Sequence, residues 1–136
     1  MPPYLAKSKE LTGTNYAGVF KQARQLFKSI KARTKRRPYL RSVYFHKQKI
    51  FFDFFWQHLA QKRYPDRVRR LRYFPCAIEL ILKSRIHPES MDNPTNKGEI
   101  LHRFSGMTKS NQLFYVHIKE DKRKGNKQLM SIFPAK

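Results

Sequence analysis

Between Leu113 and Glu120 the sequence LFYVHIKE alternates strictly, so an extended strand there puts Phe114, Val116 and Ile118 on one face and Tyr115, His117 and Lys119 on the other. A phenol, an imidazole and an amine side by side are groups that handle phosphate esters. Two nearby stretches supply further polar groups. Ile100, His102 and Phe104 alternate with Leu101, Arg103 and Ser105, and Met130 and Ile132 alternate with Leu129, Ser131 and Phe133. If these polar residues share a face, His117 and His102 would serve as general base and acid near neutral pH. Arg103 and Lys119 would then neutralise a pentacoordinate phosphate, and Ser131 would donate a hydrogen bond to a phosphoryl oxygen. Such a set can cleave RNA without a metal: the 2′-hydroxyl is deprotonated, attacks the adjacent phosphorus and leaves a cyclic phosphate. Apolarity does not decide which set of the first strand faces the core, and a one-residue slip or a bulge exchanges His102 for Arg103. The competing reading is a solvated sheet face with no chemistry.

Other chemistries fit less well. Two-metal phosphodiester cleavage needs several convergent carboxylates, and the chain has nine Asp and Glu in total. Glu120-Asp121-Lys122 has the acid-x-lysine form of restriction-type nucleases, but no acidic partner precedes it on a strand. Glycine-rich phosphate loops, dinucleotide fingerprints and serine elbows are missing, and the single Cys76 excludes an internal disulfide or a C-x-x-C zinc site. No metal and no cofactor are expected. Thirty Lys and Arg give a net charge of +21 and a pI near 10.5, a field that draws phosphate backbones. The excess is densest over Met1 to Arg41, where eleven basic residues face one acidic residue. Nucleic acid is therefore the expected partner ahead of an anionic membrane or an acidic protein, since no segment pairs a clean apolar face with this charge. The longest hydrophobic cluster, Ile50 to Trp56, is cut by Asp53 and too short to span a bilayer, and the chain reads as soluble and cytoplasmic.

The elements that must position these groups follow from periodicity, within a single domain spanning 1–136. Residues 1–14 hold Pro2, Pro3 and Gly13 and no period, and read as a flexible or loosely docked arm. Residues 15–83 read as a helical region. Its first helix, capped by Thr14 or Asn15, carries Tyr16, Val19, Phe20, Ala23, Leu26, Phe27 and Ile30 on one stripe. It ends in KARTKRRP, where Lys31, Arg33, Lys35, Arg36 and Arg37 form either a phosphate clamp or a solvated hinge. From about Ser42 a heavily buried helix is expected, with Phe51, Phe55 and Leu59 in line, His46 and His58 on its surface and Asp53 in a structural ion pair. A short helix after Pro65 shows Arg67, Arg69, Arg70 and Arg72 outward, as a second candidate nucleic-acid-binding surface. Pro75 belongs in the first turn of an apolar helix, Cys76 to Lys83; residues 84–99 read as a loop and residues 100–134 as an antiparallel sheet.

The segments HRFSG, LFYVHIKED and LMSIFP resemble the C-terminal half of the phage-associated nucleases grouped with barnase, EndoU, colicin D and RelE. The resemblance covers about 40 residues, judged on these short motifs alone. It implies helices preceding an antiparallel sheet, and by position it points to His102, Arg103, Lys119 and Ser131, with His117 supported by its own geometry. Together these readings describe an α+β fold in which basic N-terminal helices pack on a C-terminal three- to four-stranded antiparallel sheet. The expected function is a toxin-like, metal-independent endoribonuclease of a phage or mobile element, with Tyr115 among the groups touching the nucleic acid. Its partners would be RNA, with tRNA and mRNA as candidates, and an acidic antitoxin; no membrane is involved. The alternative is a non-catalytic RNA- or DNA-binding module of a mobile element, with the sheet as scaffold.

Overall fold

The computed structural model describes residues 2–135 and shows helices packed on a single mixed sheet. In chain order the elements are β1 (Tyr4–Leu5), α1 (Tyr16–Ala32), β2 (Tyr39–Ser42), β3 (Gln48–Phe51), α2 (Phe55–Ala60), α3 (Tyr64–Leu71) and α4 (Phe74–Lys83). They continue with β4 (Glu89–Asp92), β5 (Glu99–Met107), β6 (Leu113–Asp121) and β7 (Lys127–Pro134). Among the described residues the sheet has seven strands, ordered β1-β5-β6-β7-β3-β2 with β4 also paired to β5. The contacts of β1 with β5 and of β3 with β7 are parallel; the other pairs are antiparallel.

This corrects the expected three- to four-stranded antiparallel sheet beneath basic helices. The sheet is larger and mixed, and it recruits four strands from segments read as arm, helix and loop. Residues 39–51, expected within the helical region, form the β2–β3 hairpin. Its apolar residues satisfy a helical stripe as well as a strand face, and its turn carries no glycine. His46 and Lys47 take the left-handed conformation themselves, at φ 57° and 65°, which is uncommon outside glycine, asparagine and aspartate. The segment 84–99 holds β4, whose four residues are all exposed and give no apolar alternation to read. Nor are the cations a property of N-terminal helices: Arg33 to Arg37 lie beyond the end of α1, Arg41 and Lys49 lie in strands, and α4 carries a single basic residue in its last turn.

The core lies between the helices and one sheet face. Val19, Ala23, Phe27 and Ile30 of α1, Phe55 and Leu59 of α2, and Phe74, Ala77, Leu80 and Ile81 of α4 are buried with Leu40, Ile50, Phe104, Phe114, Val116, Ile118, Leu129 and Ile132 of the strands. Asn15 caps α1 by accepting a 2.8 Å hydrogen bond from the Gly18 amide. Pro75 sits in the first turn of α4, where its missing N–H costs nothing. Gly106 has a packing reason to lack a side chain. It lies opposite Phe114 in the β5–β6 ladder, and a Cβ at Gly106 would overlap three atoms of that ring, which Tyr73 covers from the other side at 5.5 Å.

The N-terminal arm is fastened rather than loose. The Glu79 carboxylate, 8% exposed on α4, accepts from the Tyr4 hydroxyl at 2.6 Å, the Lys7 amide at 2.9 Å, and the Ser8 amide and hydroxyl at 2.7 Å each. Burial alone would raise its pKa, but these donors outweigh it and hold the group at about 2, against an ordinary 4.5. Cys76 on the same helix is buried, and burial followed by the charges of Glu10 and Glu79 pushes its thiol up to about 12, which leaves it unreactive.

Two outcomes follow for Glu79. Because its folded pKa is depressed, its contribution to stability is complete above about pH 4.5 and is lost as the pH falls towards about 2. Glu79→Gln should lower the unfolding free energy by about 2 kcal/mol in neutral denaturant titrations and flatten this acid limb. It should also speed amide exchange at Lys7 and Ser8, and unchanged protection there would show that the arm is held by something else.

A candidate active site on the outer sheet face

Strand parity assigns every polar candidate to a face. In β5 the buried residues are His102, Phe104 and Gly106, and in β6 they are Phe114, Val116 and Ile118. Arg103, Tyr115, His117 and Lys119 therefore lie on the outer face. Across the strands Arg103 stands directly opposite His117, and His117 directly opposite Ser131. Such pairs have Cβ atoms about 5 Å apart. The ladder between β6 and β7 shifts by one residue after His117: Ile118 pairs with Leu129, and Met130 is left over. This bulge lets Leu129 and Ile132 both enter the core while Ser131 stays opposite His117.

The His117 ring packs edge-on against Phe133 at 4.8 Å, and Phe133 in turn lies 5.4 Å from Tyr115. Beyond Gln128 of β7 the chain of β3 turns away into α2, so α2 and α3 flank the outer half of β7. From there Arg70 of α3 reaches over the Phe133 ring at 5.5 Å, anchored by the Asp66 carboxylate at 2.9 Å. His58 of α2, Lys62, Arg70 and Ser131 line a cavity of about 10 Å³, room for about one water. On the other side, His117 and Arg103 border a groove of about 280 Å³ with Glu89, Met91 and Leu101. Burial, then the charges of Arg103, Arg70 and His58, push the pKa of His117 below its usual 6.5. Burial, then Lys62 and Arg70, act in the same direction on His58. Both imidazoles are thereby kept neutral at pH 7, ready to accept a proton.

The remaining candidates divide. Arg103 stacks over Tyr115 at 4.7 Å and meets Glu89 at 3.0 Å, a pair exposed enough to exchange partners. Lys119 lies two residues from His117 on the same face, 3.2 Å from Glu99 and 4.5 Å from the Phe54 ring centre. His102 is not part of this site, which corrects its reading as general acid. It is 8% exposed on the core face, with Nδ1 2.7 Å from the Ser90 hydroxyl, Nε2 2.8 Å from Glu120 and the Phe45 ring 5.1 Å away. Since a carboxylate only accepts, Nε2 carries a proton toward Glu120, and the ring ties β4, β5 and β6 together.

The two cationic surfaces also separate. Lys31 in the last turn of α1 and Arg33, Lys35, Arg36 and Arg37 between α1 and β2 are all exposed, and Arg37 pairs with Asp53. The α3 arginines are drawn inward: Arg67 donates to the Ala60 and Lys62 carbonyls that end α2, Arg69 and Arg70 hold Asp66, and Arg72 donates to the Leu11 carbonyl. Arg70 is the one that the geometry brings to His117. His58 was not foreseen as a site group, because nothing local in a six-residue helix tells that β7 will lie beside it. Among the described residues no group of three His, Cys, Asp or Glu side chains converges as a metal site, and no helix is long and apolar enough to cross a membrane.

The two histidines of the sheet should respond differently to removal. His102→Ala should cost about 2 kcal/mol in denaturant unfolding, because it empties a buried position and removes the hydrogen bonds that join β5 to Ser90 and Glu120, whereas His117→Ala should cost under about 1 kcal/mol. Imidazole NMR titration should place the midpoints of His117 and His58 below 6.5; a midpoint above that value at His117 would contradict the geometry described. No protein family, curated protein or solved structure matches this chain.

Proposed function

We propose that the protein cleaves RNA without a metal ion at the row Arg103–His117–Ser131. The observation that carries this reading is their placement directly opposite one another on three adjoining strands, with Arg103 and His117 bordering a groove and the buried Ser131 lining a small cavity with Arg70. Neutral His117 takes the proton of a ribose 2′-hydroxyl, whose oxygen attacks the adjacent phosphorus. Arg103 and Arg70 offset the charge that builds on the phosphorane, and Ser131 donates to one of its oxygens. The departing 5′-oxygen takes a proton from the Lys119 ammonium on the same face, leaving a 2′,3′-cyclic phosphate on one product and a hydroxyl on the other. Tyr115, stacked under Arg103, lines the approach of the base.

The similarity of HRFSG, LFYVHIKED and LMSIFP to phage-associated nucleases supports the same reading. It suggests a toxin-like enzyme of a phage or mobile element acting on tRNA or mRNA in a cell's cytoplasm. An acidic antitoxin that covers the cationic face fits a net charge of +21.

The test is cleavage of end-labelled RNA in EDTA. His117→Ala should slow the single-turnover rate by about 100-fold or more, Arg103→Ala by a similar factor and Lys119→Ala by about tenfold, with cyclic-phosphate ends in the products. The rate should rise with pH along a limb whose midpoint lies below 6.5 and then level off, since the base works unprotonated. Binding without cleavage would favour the module reading, and cleavage that appears only with added divalent ions would overturn the mechanism.

A further inference from the structure

The outer face does not end at the site. Lys119 of β6 lies opposite Gln128 of β7, and Gln128 opposite Phe51 of β3, so the hairpin β2–β3 continues the same face. There Tyr39 stands opposite Phe51, and Arg41 directly opposite Lys49. Like charges in that position repel, and a sheet that keeps them must offset the repulsion. Among the described residues neither cation has an acidic partner within 4.0 Å, although eight other ion pairs form. What holds them is aromatic. The Lys49 ammonium lies 4.6 Å and the Arg41 guanidinium 5.4 Å from the centre of the Tyr39 ring, and Arg41 also donates to the Lys47 carbonyl at 3.1 Å. Arg33, beyond the end of α1, joins Tyr39 and Arg41 in lining a depression of about 320 Å³.

We propose that Tyr39, Arg41 and Lys49, with Arg33 beside them, form a subsite that grips the phosphate backbone of a single-stranded RNA. The inference rests on the reading of the Arg103–His117–Ser131 row as an RNA-cleaving site, which it supplies with a second foothold. Three strand spacings separate β6 from β2, roughly 15 Å, the reach of a few nucleotides of an extended strand. The tyrosine ring holds both cations in place before the ligand arrives, so little side-chain freedom is lost on binding. The phosphates supply the negative charge that the protein itself does not place there. The contact is with the backbone and carries no base preference.

Fluorescence anisotropy with a labelled 2′-O-methyl oligouridine of about 20 nucleotides tests this apart from catalysis, because that probe lacks the attacking hydroxyl. The double variant Arg41→Ala/Lys49→Ala should bind at least about tenfold more weakly at roughly 0.1 M salt, and its log–log salt slope should fall by about 1.4, the share of two phosphate contacts on a single strand. Its thermal midpoint should stay level or rise, since a repulsion is relieved. Tyr39→Leu should weaken binding several-fold with the charges intact. The same loss of probe binding should appear when the double variant is made in the His117→Ala background, which separates grip from cleavage. Wild-type affinity and slope in the double variant would overturn the subsite. So would an equal loss in the control Lys21→Ala/Lys109→Ala, which would mean that diffuse charge binds the strand. If RNA is never cut but the double variant still loses the probe, the subsite stands and the cleavage reading falls.

Discussion

Side chains of a strand have only two sides to choose from, and the register of β5, β6 and β7 turns that restriction into the separation on which the molecule depends. Phe104, Phe114, Val116 and Ile118 must all face the helices, because each loses about 2 kcal/mol or more if left in water. Once they do, Arg103, Tyr115, His117 and Lys119 have no option but the outer face. The candidate site is thus a by-product of core formation, its backbone fixed by the same ladder that aligns the core residues. The bulge at Met130 is the one adjustment, and it is needed because an unbroken ladder would turn Leu129 away from the core and put Met130 in its place.

The same restriction explains what could be read from the sequence. The strands at 100–134 were legible because their alternation is strong, and so were His117, Lys119 and Ser131 as candidates for one face. His102 and Arg103 were not separable: Ile100, Leu101 and Phe104 make both parities plausible, and only the pairing with β6 and the hydrogen bonds to Ser90 and Glu120 settle the matter. The hairpin at 39–51 was hidden because its aromatic residues fit a helical stripe equally well and its turn lacks the usual glycine or asparagine. β1 and β4 are too short for periodicity to speak at all. His58 and Arg70 reach the site through tertiary packing, on which local sequence is silent.

Charge is organised by the fold more than by segments. The arginines of α3 look like a binding surface in sequence, yet they spend their donors on helix ends, on Asp66 and on the N-terminal arm. Conversely, Arg41 and Lys49 are unremarkable in sequence and become a repelling pair only when two strands place them face to face. A run of cations is therefore a poor guide to where a polyanion will sit. The number of internal acceptors each cation finds is a better one.

The clamp around Glu79 has a further consequence at the border of the sheet. Strands β4 and β1 lie end to end along the side of β5 that β6 leaves bare, β4 pairing with residues 100–103 and β1 with 106–107. An open edge there would invite a second chain to add its own strand, a common route to aggregation. By fastening Tyr4, Lys7 and Ser8 to α4, the carboxylate keeps β1 in position as a plug. A side chain remote from the polar face thus helps decide whether the protein stays dispersed.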